Sequence, residues 1–121
     1  MTQFLTIEDL LALVDDLQVG PVRDLGLLAS AANRPRTSLF GEDAYPSLDD
    51  KAAASLESIV RNPALVDGNK RLGWLATVVL YAINDVVLEA PDDDAYDLVI
   101  GVASGQIPLE SISQRLAEWH G

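Results

Sequence analysis

The stretch Asn62–Arg71, NPALVDGNKR, brings together residue types that could hold a charged ligand. Gly68 permits a close backbone approach, and a helix that begins after it would present unpaired N–H groups to an anion. Arg71 can hold a phosphate with two donors, Lys70 adds charge and Asn69 could fix a further oxygen. Asp67 could bind Mg²⁺ that bridges to phosphate oxygens. The spacing alone also fits an ordinary turn, with Asn69 capping the next helix and both cations exposed.

The chain is predicted to be mostly helical, because apolar residues recur at helical spacing along most of it. Helices must therefore hold this turn in place. The fourth predicted helix is apolar nearly all round, so we expect it to be central. A single all-α domain of about six helices is therefore predicted. The predicted helices are 7–17 after Thr6, a second from Asp24 through Leu25, Leu28 and Ala32, 48–61 after Ser47, 69–84, 91–103, and a last one opened by Pro108 that carries Leu109, Ile112, Leu116 and Trp119.

Residues 33–47 contain two prolines and a glycine and are predicted to form a long loop. Compact helical domains rarely carry about 15 unstructured residues without a reason. One interpretation is a surface excursion pinned by Phe40 and Tyr45. The other is a flap that lies over a site and presents its backbone to a partner.

Composition excludes several kinds of site. The 121 residues are 49% hydrophobic, enough for a core, and lack cysteine, which excludes disulfides and thiolate zinc sites. The single histidine, His120, is interpreted as an ordinary exposed residue near the end. No secretory signal or membrane span is evident, so a cytoplasmic location is expected.

The charge distribution favours one anion site on an acidic protein. A net charge of -11 argues against a broad nucleic-acid interface, so no direct DNA binding is expected. Several cations nevertheless lie near the glycine-containing turn, which suggests a bound phosphate, although solvated surface charges would give the same pattern. These cations are Arg34, Arg36, Arg61, Lys70 and Arg71.

The segment VDGNKRLGWLA resembles the core of the Fic/Doc family, and the match is closest to the Doc-type toxins of bacterial toxin–antitoxin modules. FLTIEDLLAL, VRDLGLLASAANRPRTSLFG and YPSLDDKAAASL follow the Doc-like pattern in order. The resemblance covers nearly all of residues 1–121 and implies an all-helical domain that uses Mg²⁺ and ATP. It implies transfer of a phosphate-containing group to a protein hydroxyl. For the Doc branch, which has a lysine where AMP-transferring members have a glycine, the implied activity is phosphorylation of translation elongation factor Tu.

The resemblance also assigns roles to residues. Asp67 resembles the metal-binding acid, and Leu65 replaces the usual phenylalanine. Residues 33–41 resemble the flap that aligns the target segment by strand-like pairing. The phosphate-binding turn corresponds to Gly68, Asn69, Lys70 and Arg71, and the flap positions that would dock the target are Arg34, Arg36, Thr37, Ser38 and Leu39.

The sequence departs from the family at the catalytic histidine, whose position is occupied by Pro63. In the family that histidine accepts the proton of the target hydroxyl, and proline offers neither a side-chain base nor an N–H. The sequence therefore predicts an inactive copy of an active toxin. Two alternatives remain: a non-catalytic module that binds nucleotide or antitoxin, and an AMP-transferring enzyme, which Lys70 disfavours.

The resemblance also implies a partner, an antitoxin whose C-terminal segment is largely disordered until it binds. We expect a groove walled by the first helix, the flap and the helices that flank the motif. Leu10, Leu13, Leu17 and Phe40 are the predicted contacts, unless they belong to the core. The net charge favours a segment with Lys and Arg beside its apolar stripe.

Overall fold

The computed structural model describes residues 1–121, and six α-helices make up most of it. The all-α prediction is confirmed. None of the helices has the length and apolar character of a membrane span. The helices are α1 (Ile7–Leu17), α2 (Leu25–Asn33), α3 (Leu48–Arg61), α4 (Asn69–Ala82), α5 (Asp92–Ala103) and α6 (Leu109–Ala117).

Local signals fix most helix boundaries. Thr6 and Asp9 form a reciprocal capping box at the start of α1, and Ser47 accepts a hydrogen bond from Asp50 N at the start of α3. The fourth helix ends at Ala82 rather than 84. In a continued helix the Asn84 N–H would donate to the Leu80 carbonyl. The Asn84 side chain donates to that carbonyl at 2.8 Å, and the Asn84 N–H donates to the Tyr81 carbonyl.

The core is built around α3 rather than around α4 as predicted. Helix α3 packs against α2, α4, α5 and α6, whereas α4 leaves part of its surface exposed beside α5. Small residues allow this close packing: Ala52, Ala53 and Ala54 are completely buried. At Gly73 a Cβ would lie 2.6 Å from Val60 Cγ1. The short loop between α3 and α4 therefore joins the two most tightly packed helices.

The flap is more ordered than the expected loop. A 3₁₀ turn (Arg34–Arg36) leads into a hairpin of β1 (Ser38–Leu39) and β2 (Glu42–Asp43), in which Ser38 pairs with Asp43. The prediction that Phe40 pins this segment is wrong, because Phe40 is fully exposed at the hairpin tip with φ 53°.

The base of the flap is fixed to α3 by two cations. Arg34 donates to the Tyr45 hydroxyl at 3.0 Å and pairs with Glu57 at 2.9 Å, so Tyr45 does pin the segment. Lys51 is 3% exposed, donates to the carbonyls of Tyr45 and Pro46, and pairs with Asp43 at 3.1 Å. Only the tip of the flap therefore projects from the bundle.

The interpretation of His120 as an ordinary exposed residue is wrong. Its Nε2 lies 2.6 Å from Asp49 Oδ1, and the same oxygen accepts a hydrogen bond from the Tyr81 hydroxyl at 2.5 Å. Burial and the Asp49 carboxylate raise the pKa of Tyr81. Next to it, Trp119 packs edge-on against Trp74, with ring centroids 6.1 Å apart. These contacts fasten the C-terminal segment to α3 and α4.

A second carboxylate near the start of α3 gives a pH-dependent contact with α6. Ser113 donates to Asp50 Oδ1 at 2.7 Å, and this bond holds the pKa of Asp50 below its usual value. A carboxyl whose pKa is lower in the folded state stabilises the fold above its unfolded pKa, and this contribution is lost as the pH falls through the folded pKa.

We expect Ser113→Ala to lower the free energy of unfolding at pH 7 by about 1 kcal/mol, because the bond to ionised Asp50 is lost. The difference from the parent should narrow as the pH falls below about 4. Urea unfolding at pH 7 and at a pH below about 4 measures the free-energy difference between variant and parent. Ser111→Ala on the same helix is the control. An equal difference at both pH values would contradict the assignment.

Candidate functional site

The loop between α3 and α4 is clamped by the segment that joins α1 to α2. Main-chain hydrogen bonds of 2.7 to 3.0 Å connect the two stretches, and Val22 and Leu65 form an antiparallel bridge. This pairing of distant segments gives the motif loop a fixed shape. The bonds run from Gly20 N to Asp67 O, from Val66 N to Pro21 O, and from Arg23 N and Asp24 N to Ala64 O.

Gly68 is required at the end of this loop for two reasons. Its φ of 91° lies in the left-handed region, and a Cβ there would lie 2.4 Å from the Cβ of Val19. Gly68 is also the N-cap of α4 and supplies no side chain to the helix. The first helical bond runs from Leu72 N to Gly68 O, so the N–H groups of the three residues between them have no partner in the protein. An anion can bind there.

Asn69 belongs to the loop scaffold. Its side-chain oxygen accepts from Leu65 N at 3.0 Å, and its side-chain nitrogen donates to Leu65 O at 3.0 Å. The interpretation of Asn69 as the helix cap is wrong, because Gly68 occupies that position. The predicted role of fixing a ligand oxygen leaves the Asn69 backbone N–H and the second hydrogen of its side-chain amide as donors, since the other side-chain hydrogen and the side-chain oxygen are bonded to Leu65.

The charged side chains of the motif lie together at the surface. Arg71 Nη2 is 3.6 Å from Asp67 Oδ2, and Lys70 is exposed beside them. Asp67 is the only carboxylate here, and no group of three or more metal-ligating side chains occurs in the protein. Such a site fits Mg²⁺ whose other ligands are phosphate oxygens and water. It does not fit a metal held by the protein alone.

Pro63 lies at the start of the loop with its ring exposed. Its carbonyl accepts a hydrogen bond from Arg23 Nη2 at 2.9 Å. No bond of the loop requires an N–H at position 63, so proline fits without loss of the clamp. This role of Arg23 was not predicted, because Arg23 lies 40 positions away from Pro63 in the chain.

The five predicted flap residues separate into two groups. Arg34 faces α3 and is occupied by Tyr45 and Glu57, so it anchors the flap. The other four are exposed: Arg36, Thr37, Ser38 and Leu39. Arg36 lies over the Phe4 ring at 4.9 Å, and the Thr37 hydroxyl donates to Arg34 O at 2.7 Å. The hairpin is therefore accessible from solvent, whereas Arg34 is engaged in contacts within the fold.

An open groove of about 600 Å³ lies between α4 and α5 and is also lined by Leu17 of α1. Lys70 and Arg71 line it together with Trp74 and Tyr96. The flap does not line this groove. Of the four predicted apolar contacts, Leu17 lines the groove and Phe40 is exposed elsewhere, whereas Leu10 is buried and Leu13 packs against the core.

Comparison with known proteins agrees with this geometry. A model of the Fic/DOC family matches residues 3–81, which include the flap, the clamped loop and nearly all of α4. The chain belongs to the Fic/Doc family. It is also 47% identical to a protein named Toxin Doc from Mycolicibacterium smegmatis (strain ATCC 700084 / mc(2)155), over 97% of this chain and 93% of that protein. The resemblance to Doc-type members is thereby confirmed.

We expect Asn69→Ala to loosen the motif loop, because both bonds to the Leu65 backbone are lost. The free energy of unfolding should fall by about 1–3 kcal/mol. The Leu65 amide should also exchange its hydrogen faster, which nuclear magnetic resonance measures directly. Asn33→Ala, at an exposed position without side-chain bonds, is the control. Unchanged exchange at Leu65 would contradict the scaffold role of Asn69.

Proposed function

We propose that this chain is a Doc-like toxin that retains the nucleotide-binding half of its site and lacks the catalytic base. The observation that carries the proposal is the start of α4, where three unpartnered N–H groups lie beside Lys70 and Arg71. Such a set of donors and cations would hold the phosphates of a Mg²⁺-bound nucleoside triphosphate. ATP is the proposed nucleotide, and Asp67 the proposed protein ligand of Mg²⁺.

The proposed reaction of the active form is phosphoryl transfer to translation elongation factor Tu, which would arrest translation. The target hydroxyl attacks the γ-phosphorus, its proton passes to a base at position 63, and ADP leaves. Mg²⁺ would supply charge neutralisation at the phosphates. The exposed edge of the hairpin would hold the target segment by backbone pairing. Lys70 and Arg71 would orient the phosphates.

Pro63 removes the base from this arrangement. Loss of a positioned general base typically slows a reaction by about 10²–10⁴-fold. Because the clamp does not depend on residue 63, binding is expected to survive the change. Pro63 therefore also favours the second candidate function, a non-catalytic module that binds nucleotide or an antitoxin. Transfer of AMP is less favoured, because Lys70 stands where AMP-transferring relatives carry glycine.

We further propose that an antitoxin segment covers apolar surface near the flap. Leu39 and Phe40 are exposed at the hairpin tip, and Leu11 is partly exposed on α1. A segment that folds on binding can cover such dispersed positions. The net charge of -11 would steer a segment that carries Lys and Arg. The proposed location of the pair is the cytoplasm.

We expect Pro63→His to restore activity. Growth should stop on induction of the variant but not of the parent, because the variant regains a proton acceptor beside the phosphate site. Elongation factor Tu incubated with the variant and Mg-ATP should gain the mass of one phosphate. The matched control is Pro63→Ala, which removes the ring without adding a base.

The mass gained by elongation factor Tu also distinguishes the candidate functions. A gain of AMP would replace the kinase assignment with nucleotidyl transfer. Phosphorylation by the parent or by Pro63→Ala would contradict the role of position 63, and no modification by Pro63→His would support the binding module.

We expect the parent to bind Mg-ATP, and Arg71→Ala to weaken this binding by about tenfold, because a charge-assisted contact to phosphate is lost. Arg115→Ala on α6 should leave the dissociation constant unchanged. Isothermal titration calorimetry measures both. The phosphate site would be refuted if the folded parent gave no binding heat, or if the two variants behaved alike.

A further inference from the structure

The tip of the flap is a two-residue turn that contains an unfavourable residue. Phe40 and Gly41 join β1 to β2, and their φ values are 53° and 80°. A type I′ turn requires positive φ at both central residues and favours Asn or Asp followed by Gly. Gly41 suits this turn, whereas the bulky side chain of Phe40 disfavours the left-handed conformation. The hairpin therefore carries a local cost at position 40.

No contact within the protein offsets this cost. The Phe40 side chain is fully exposed, and Leu39 beside it is largely exposed as well. A Cβ added at Gly41 would meet no atom within 4 Å, so the tip stands clear of the helices. Single exposed apolar residues are common on protein surfaces. Phe40 differs from them because its backbone is also strained, and strain of this kind clusters at functional sites.

Both ends of the flap hold the tip in one position. On the incoming side, Arg34 donates to the Tyr45 hydroxyl and pairs with Glu57. On the outgoing side, Lys51 donates to the Tyr45 carbonyl and pairs with Asp43. Tyr45 therefore contacts both cations. A hairpin fixed in this way has little conformational freedom to lose when a partner binds, so the tip is preorganised for docking.

We propose that Phe40 is the anchor by which the protein substrate docks on the flap. The inference rests on the proposed function and names the residue that selects the substrate. Phe40 enters an apolar pocket of the substrate, next to the segment that pairs with the edge of the hairpin. Aromatic side chains that fill such pockets carry much of the binding energy of protein interfaces. An antitoxin that covers the same tip thereby also blocks substrate docking.

The chemistry of the flap favours a protein substrate over other occupants. The sheet has only two strands, so its outer edges can pair with a further strand, which only a polypeptide supplies. Anionic membrane surfaces attract basic segments, whereas Glu42 and Asp43 follow this tip and the net charge is -11. A second copy of the chain would bring the same charge and the same acidic flap.

Phe40→Asn separates docking from folding, because asparagine suits the first central position of a type I′ turn. The Ala44 N–H donates to Thr37 O at 2.9 Å and closes the hairpin. Its hydrogen exchange should be no faster in the variant than in the parent. The dissociation constant for elongation factor Tu should nevertheless rise by about tenfold or more. Calorimetry measures this constant without any need for catalysis.

Three controls accompany this variant. Phe40→Tyr keeps the ring and should bind elongation factor Tu as the parent does. Val87→Asn removes an exposed apolar side chain outside the flap and should leave this binding unchanged. Mg-ATP should bind to Phe40→Asn within about twofold of the parent, because the flap does not line the groove beside Lys70 and Arg71.

The fixed ends of the flap have their own test. Asp43→Asn weakens the ion pair with Lys51, whereas Glu42→Gln on the same strand removes an equal charge that has no ion pair. Asp43→Asn should speed exchange of the Ala44 amide and weaken substrate binding by about threefold. Glu42→Gln should change neither. Equal effects of the two variants would overturn the role of Lys51 in presenting the tip.

Failure of the anchor differs from failure of the proposed function. If Phe40→Asn binds elongation factor Tu as tightly as the parent, the anchor is refuted and the proposed function stands. If the parent does not bind this protein, the proposed target fails and the anchor fails with it. Weaker binding together with faster Ala44 exchange would give Phe40 a structural role and overturn the proposal. Loss of self-association alone, seen by sedimentation, would assign the tip to a second copy and overturn it too.

Discussion

The clamp between the α1–α2 connection and the α3–α4 loop is the constraint on which the candidate site depends. Four main-chain bonds join residues that are 40 or more positions apart in sequence, and the Asn69 side chain closes the loop from the other side. Gly68 fits under Val19 only because it lacks a Cβ. The clamp thus fixes where α4 begins, and the start of α4 fixes where an anion can bind.

The clamp holds the loop without any hydrogen-bond donor from residue 63. Its bonds use the carbonyls of Pro63, Ala64 and Asp67 and the N–H groups of Leu65 and Val66, and none uses a donor at position 63. A proline can therefore replace a histidine there without a change in the loop. The shape of the proposed phosphate-binding turn therefore does not depend on which side chain stands at position 63.

Much of the fold could be predicted from local sequence signals. Helices α1 and α3 begin and end where Thr6 and Ser47 and the apolar periodicity place them, because caps act within one turn. The motif itself was recognisable because Gly68, Asn69 and the two cations follow one another in the chain. The hairpin was missed because each of its strands has only two residues, too few for a periodic pattern.

Contacts between distant residues were not predictable from the sequence. Arg34 and Lys51 are cations whose burial depends on carbonyls and carboxylates of other elements, so their anchoring role is visible only in the fold. The same is true of His120, which meets Asp49 across the bundle. The groove behind Lys70 and Arg71 likewise requires α5 to fold back along α4. The surroundings of these charges depend on contacts between distant elements, which the sequence pattern does not contain.

We propose that the clamp, and not residue 63, shapes the phosphate site. The most direct test compares the Mg-ATP dissociation constants of the parent and of Pro63→His, measured side by side by calorimetry. The account predicts values within about threefold, since the loop has the same shape in both. Tightening by more than about tenfold in the histidine form would contradict it, because residue 63 would then determine the geometry of the binding turn.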